Sequence, residues 1–388
     1  MKKIAVLFAD GAEESEALTI VDILRRAEMD ARIVGVSGKN ITGAHGIEML
    51  ADIRIENADS EAWDMAVVPG GYLGVENLLE SEKTIRFIRK MHDAGKITAA
   101  ICAGPRVLDR AGVLAGKTFT CYPGQEKLIG SGTFTEAPVV ADGTCITAAG
   151  PALCYAFSYA LVDALGGDSL AVKNRMVYFN AFDEERSVKD LPRTSSEKPA
   201  VPVKAAVLMK EGYEEGETFS IVDILRRLGL TCHTFCFDES MYVKGMHQMM
   251  IRADKLFPAD IEEYDAVVLP GGRPGGQNLK EDPEVIGLLK RWNQTEGKTL
   301  SALCSGTTVL AEADVIEGKH MTGYTGYAEK LPGAVFEEKL TVADANLITS
   351  QGPATGYPFA FRLAEAFGYD TGEVRSRLMY GYAGGKDE

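Results

Sequence analysis

Two cysteines stand at the ends of short apolar runs, each followed by residues almost too small to pack. AAICAGPRVL carries Cys102, and SALCSGTTVL carries Cys304. A nucleophile presented on a sharp strand-to-helix turn needs such a composition, because bulky neighbours would block the strained backbone. The helix that follows aims its N-terminus at the sulfur, and its free N–H groups pull a thiol down from its ordinary value of about 8.5. Each PGG turn, Pro69-Gly70-Gly71 and Pro270-Gly271-Gly272, leaves backbone N–H groups at a strand end. With the N–H of Ala103 or Ser305 they form the elements of an oxyanion hole. Glu16 and Glu217 open helices at the same rim. A carboxylate beside a thiolate repels it, so a working Cys/Glu pair needs one proton shared between them. Glu protonated and Cys ionised is one arrangement, in which that Glu can act as general acid/base.

Alone, a cysteine at a strand end is ordinarily a small core hydrophobe. Duplication changes the weight of the observation. IVDILRR occurs at Ile20 and again at Ile221, and DMAVVPGG at Asp64 returns as DAVVLPGG at Asp265. Cys102 and Cys304 are 202 positions apart, Glu16 and Glu217 201, and RMVYFNAF near the end of one copy parallels RLMYGYAGG in the other. Cys121, Cys145, Cys154, Cys232 and Cys236 have no cysteine counterpart and read as core. Seven cysteines without a CxxC form no disulfide framework. Cys232, His233 and Cys236 fall in the alternating run TCHTFCF, which reads as a strand and not as a metal site.

The elements that must position these groups alternate. KIAVLFA, ARIVGVS, DMAVVPGG and ITAAIC have the apolar character of strands buried on both faces. Residues 15–27 and 84–94 have helical spacing, and GTCITAAGPALCYAFSYALVDALGG reads as a strand, a Gly-Pro turn and a final apolar helix. The pattern predicts α/β architecture twice over, each copy a mostly parallel sheet with helices on both faces and its site at the carboxyl ends of the strands. Copy one is placed at 1–182 and copy two at 204–388. Between them, 183–203 is charged, proline-containing and without apolar periodicity, the composition of a linker.

With 388 residues, 46% of them hydrophobic, the chain reads as an ordinary globular protein of two or three domains. A net charge of −15 without a basic run argues against nucleic acid as a partner. No apolar stretch approaches the roughly 18 residues that span a bilayer, so no membrane partner is expected. The run from Ile4 to Ala9 is too short for a signal peptide and reads as a buried first strand, placing the chain in the cytoplasm. No phosphate loop, metal cluster or GxGxxG follows the first strand, and no cofactor is expected.

GAEESEALTIVDILRRAEMDARIVGVSG, VVPGGYLGVENL, AAICAGPRVL and the final helix begun by Gly-Pro resemble, in order and spacing, the ThiJ/PfpI superfamily and its parkinsonism-associated deglycase branch. The resemblance covers both copies. It implies a flavodoxin-like three-layer sandwich, with Cys102 and Cys304 as nucleophiles and Glu16 and Glu217 as their protonated partners. The implied oxyanion donors are Gly71 with Ala103, and Gly272 with Ser305. It further implies pairing of the copies as an internal pseudo-dimer, with room for a further homo-oligomer. The implied activity is glutathione-independent conversion of small 2-oxoaldehydes, methylglyoxal to lactate, of glyoxalase III or deglycase type. The alternative is a redox-sensing, stress or chaperone protein whose elbow thiols oxidise.

Two features depart from that family. Where several members carry a histidine beside the cysteine, this chain has TCYPG and TGYTG, giving Tyr122 and Tyr324. A phenol with pKa about 10 is a poor base at neutral pH but donates a hydrogen bond to a substrate oxygen. Ala103 and Ser305 occupy the position where the peptidase branch has histidine, which argues against proteolysis, and no late His-x-Glu supports an amidotransferase-like hydrolase. His45 and His247 recur at matching positions; a structural turn histidine is the plainer reading, contact with a substrate or a neighbouring copy's cysteine the other.

Overall fold

The computed structural model describes residues 1–178 and 201–382; the expected linker, 183–203, lies outside the described residues up to position 200. The chain forms two compact units. The first comprises Met1–Val172 together with the segment from Arg375, and the second runs Lys173–Val374. The units are therefore not the linear halves, since each holds the C-terminal segment of the other copy.

In unit one, seven strands form one sheet in the order Val139–Asp142, Cys145–Ala148, Ile97–Ile101, Met65–Val68, Lys3–Phe8, Asp30–Gly35 and Ile53–Arg54. All pairings are parallel except that of Val139–Asp142 with Cys145–Ala148. Successive strand residues face opposite sides. Ala5 and Leu7 therefore join Ala66, Val68 and Ala100 against the helices Tyr72–Glu80, Glu82–Asp93 and Pro105–Ala111. On the other face the helix Glu14–Arg26 packs against Cys154–Ala164. Glu14–Arg26 has acidic residues in its first turn and Arg25 and Arg26 in its last, the order its dipole favours.

Unit two repeats this plan. Its sheet runs Lys255–Leu256, Thr231–Cys236, Lys204–Leu208, Ala266–Leu269, Thr299–Leu303, Leu347–Ser350 and Thr341–Asp344, antiparallel only at the last pair. TCHTFC is the strand that its alternation predicts, and the five unmatched cysteines are all buried. The expected α/β plan of two three-layer sandwiches is present in both units.

Several elements escaped the sequence pattern because they are too short for periodicity. Each unit carries a hairpin, Asn40–Thr42 with Glu48–Leu50 and Tyr242–Lys244 with Met250–Arg252, whose turns hold His45 and His247. The helix Ser169–Met176 follows the one expected to be last. Among the described residues no helix is long and apolar enough to cross a membrane.

Candidate active site

The strand Ile97–Ile101 ends on Cys102, and Thr299–Leu303 on Cys304. Both cysteines hold a positive φ, 62° and 53°, which non-glycine residues rarely adopt and which turns the side chain out of the strand direction. Sterics explain the small residues around them. A methyl group on Gly70 would lie 2.6 Å from Cys102 Cβ and 2.9 Å from its sulfur, and one on Gly271 would meet Cys304 at the same distances. One on Gly104 would press on the Val68 carbonyl at 2.6 Å, and on Gly306 on that of Leu269 at 2.2 Å. Gly71 and Gly272, at φ 93° and 106°, turn the chain where a methyl group would meet the carbonyl oxygens of Gly11 and Gly212.

Glu16 and Glu217 are fully buried. The Gly70 amide donates to Glu16 Oε2 at 2.7 Å, and the Gly271 amide donates to Glu217 Oε1. These bonds aim each carboxyl at the elbow, so Glu16 reaches the Cys102 side chain by hydrogen bond. Burial pushes the Cys102 thiol well up, and the charge and hydrogen bonding of Glu16, then the charge of Glu13, act in the same direction. Only the Ala103 amide, donating to the sulfur, pulls it down. The depression expected from the helix N-terminus is thus outweighed, first by burial and then by Glu16 and Glu13. A proton on Glu16 would remove its charge and turn its carboxyl into a donor toward the sulfur.

The other expected residues fall in two groups. Ala103 and Gly71 stand at the elbow, with Ala103 bonded to the sulfur and Gly71 capping the helix Tyr72–Glu80. In unit two, Ser305 follows Cys304 in a short 3-10 turn, its hydroxyl donating to the Gly272 carbonyl at 3.1 Å. Tyr122 is tied to the site through its amide, which donates to the Cys102 carbonyl at 2.9 Å. Its hydroxyl donates to the Arg377 carbonyl at 3.1 Å, and that of Tyr324 to the Arg175 carbonyl at 2.8 Å. Both phenols are therefore engaged by the segment that each unit takes from the other copy.

His45 and His247 are held by different glutamates. His45 Nδ1 lies 3.0 Å from Glu14 Oε2, and the His45 and Ile47 amides donate to Glu14 Oε1. Glu215 receives the amides of His247 and Met249 in the same way. Gly43 and Gly245 make room for these carboxylates, since a methyl group there would lie 2.2 and 2.1 Å from the carboxyl carbons of Glu14 and Glu215.

Sequence reasoning missed two residues at Cys304. Arg273 follows the PGG turn, and its Nη2 donates to Tyr327 Oη at 3.3 Å. The guanidinium is held above its ordinary range first by that hydrogen bond and by the charge of Tyr327, with Cys304 adding to the effect against the opposing pull of burial. The signal lay in the comparison of copies: PGGR against PGGY, and GYTGY against CYPGQ.

Known proteins share this plan. The chain is 30% identical over 373 residues to protein DJ-1 homolog B of Arabidopsis thaliana, covering 94% of this chain and 85% of that one. DJ-1 homolog A of the same plant is 29% identical, with 94% and 95% covered. A deglycase of Pyrococcus horikoshii is 33% identical over 165 residues, 42% of this chain and 99% of its own. The crystal structure of Drosophila melanogaster DJ-1beta aligns at a TM-score of 0.43 and 32% identity, over 45% of this chain and 97% of that one. The family model for DJ-1/PfpI matches residues 2–164 and again 203–366, and the chain belongs to that family as a tandem duplication.

Proposed function

We propose that both elbows are thiol sites acting on small 2-oxoaldehydes without glutathione. The observation that carries this reading is a cysteine at positive φ joined to a buried glutamate whose orientation is set by a neighbouring amide. The sulfur of Cys102 or Cys304 adds to the aldehyde carbon, a C–S bond forms, and the carbonyl oxygen takes a proton to give a hemithioacetal. Glu16 or Glu217 removes the proton on that carbon and returns one to the adjacent carbonyl carbon through an enediol, leaving a 2-hydroxy thioester. Water then cleaves the C–S bond, releasing a 2-hydroxy acid and the free thiol. Oxidation states balance within the substrate, so no external oxidant or reductant enters.

Gly71 with Ala103, and Gly272 with Ser305, are the amides offered to the developing oxyanion. Tyr122 and Tyr324, tethered through their hydroxyls, are the proposed substrate contacts beside each elbow. The deglycase name of a relative at 33% identity supports carbonyl chemistry of this type. Residues 183–203 as linker, pairing of the copies as a pseudo-dimer and a cytoplasmic location belong to the same proposal.

The test is lactate formed from methylglyoxal in the absence of glutathione, by wild type and by the Cys102→Ser/Cys304→Ser double variant. Lactate from the wild type alone supports the reading. Equal traces from both withdraw it in favour of thiol oxidation as the function.

A further inference from the structure

Arg273 and Tyr327 form a polar pair that copy one lacks. At the matching positions stand Tyr72, 65% exposed, and Gln125. Tyr327 is buried, with the Arg273 guanidinium at its hydroxyl and the Lys330 ammonium 3.8 Å over its ring centre. Lys127 matches Lys330 in the shared EKL run, but copy two has one more residue, Ala328, before that run, and copy one has no aromatic residue between Tyr122 and it. Neither Arg273 nor Lys330 has a carboxylate partner among the described residues, although the protein carries a net charge of −15. By contrast Arg106, which follows the elbow of copy one, is neutralised by Glu76 at 2.8 Å. Thr308 and Gln277 replace that pair in copy two.

Arg273 is also placed to meet a substrate. It directly follows Gly272, and Gly271 packs against the Cys304 sulfur. The Tyr324 ring, tethered through its hydroxyl, stacks edge-on against Tyr327 with centroids 5.5 Å apart, which limits where the pair can move. An uncompensated guanidinium at the mouth of a thiol site favours an anion, and its planar fork suits a carboxylate.

We propose that the Cys304 site selects carbonyl compounds bearing a carboxylate, with Arg273 taking the charge and Tyr327 positioning it, whereas the Cys102 site takes neutral ones. This selection rests on the reading of both elbows as 2-oxoaldehyde sites for its metabolic meaning, and on the charge alone for its chemistry. The substrate class for Cys304 is then a 2-oxoaldehyde with a terminal carboxylate, such as 4,5-dioxopentanoate, whose product is 2-hydroxyglutarate.

Two alkylating agents that differ in charge test the site without any turnover. The full-length protein is treated with iodoacetate or iodoacetamide, and the rate at each cysteine is read by peptide mass spectrometry. The expected iodoacetate-to-iodoacetamide rate ratio is about 10- to 100-fold higher at Cys304 than at Cys102, the range of a charge-assisted hydrogen bond. Arg273→Tyr brings the Cys304 ratio down to that of Cys102, and Tyr327→Phe lowers it in part. Equal ratios at the two cysteines in the wild type overturn the proposal, as does a ratio at Cys304 that Arg273→Tyr leaves in place.

A second arm compares 4,5-dioxopentanoate with methylglyoxal in Cys102→Ser and Cys304→Ser, where one elbow remains. Preference for the carboxylated substrate in Cys102→Ser alone supports the selection. The same preference in both variants overturns it. Charge selection in alkylation with no turnover of either substrate leaves the anion site standing and removes the 2-oxoaldehyde reading.

Discussion

At Cys102 the turn after the strand Met65–Val68 reads PGGY, at Cys304 the turn after Ala266–Leu269 reads PGGR, and from that position outward the two sites part company. Inside it they match closely. Each has a cysteine at positive φ, a glycine against its sulfur, a buried glutamate held by that glycine's amide, and a second buried glutamate under a histidine-bearing turn. Outside it, copy one pairs Arg106 with Glu76 and exposes Tyr72, while copy two sets Arg273 on Tyr327. The contrast separates two kinds of constraint. The inner residues sit where no side-chain atom can be added, so both copies share them. The mouth is open to solvent, so its charge is free to differ and to choose substrates.

The largest effect should come from the shared inner frame. Glu16→Gln in a Cys304→Ser background, and Glu217→Gln in a Cys102→Ser background, should each cut methylglyoxal turnover by about 10²- to 10⁴-fold, the contribution of a positioned general acid/base. Steady-state lactate assays check it, and a loss in only one copy would break the equivalence of the two frames. Next, Gly70→Ala and Gly271→Ala should each lower turnover at their own elbow by about 10²-fold, because the new methyl displaces the thiol and its glutamate together. Turnover in the same single-elbow backgrounds reads this effect site by site.

A smaller effect concerns stability. Gly43→Ala and Gly245→Ala should each cost about 1–3 kcal/mol by driving Glu14 or Glu215 off the amides that satisfy it. Urea unfolding midpoints measure it, and unaltered midpoints would show that the two turns yield without penalty.

The smallest effect is one of pH. Matching strand positions hold Arg32 in unit one and His233 in unit two. The Arg32 hydrogen bond keeps Asp30 below its ordinary range, so its stabilisation is present above about pH 3.9 and lost only as pH falls through the folded value. Burial keeps His233 below its ordinary value, with Lys255 and Arg226 reinforcing and Asp254 and Asp260 opposing. The unfolded chain then binds a proton at about pH 6.5 that the folded one refuses, and stability falls as pH drops through that value. Amide exchange at pH 7 and 5.5, corrected for intrinsic rates, should show Thr231–Cys236 losing protection relative to Asp30–Gly35. His233→Gln should remove the difference, and an equal loss in both strands would contradict it.

Much of this was legible in the residues themselves. Volume and spacing mark the elbows, because a strand that ends Cys-Ala-Gly or Cys-Ser-Gly leaves space that nothing but a turn fills. Exact recurrence of IVDILRR and PGG gives the duplication, and short continuous apolar runs give the buried strands of the sheets. The sign of the Cys102 shift was not legible, since it depends on burial and on Glu13 as well as Glu16. The partner of Arg273 lies 54 positions away, beyond any local pattern. The exchanged segments were hidden for another reason. RMVYFNAF and RLMYGYAGG are so alike that sequence cannot tell which unit receives which, yet Tyr122 meets Arg377 and Tyr324 meets Arg175.

The most direct test of two thiol sites in one chain is glutathione-independent lactate formation by Cys102→Ser and Cys304→Ser measured separately. The account predicts that each single variant keeps part of the wild-type turnover, with Cys102→Ser the slower on this neutral substrate. If either substitution alone removes all turnover while the protein stays folded, the two elbows are not independent sites and the account is contradicted.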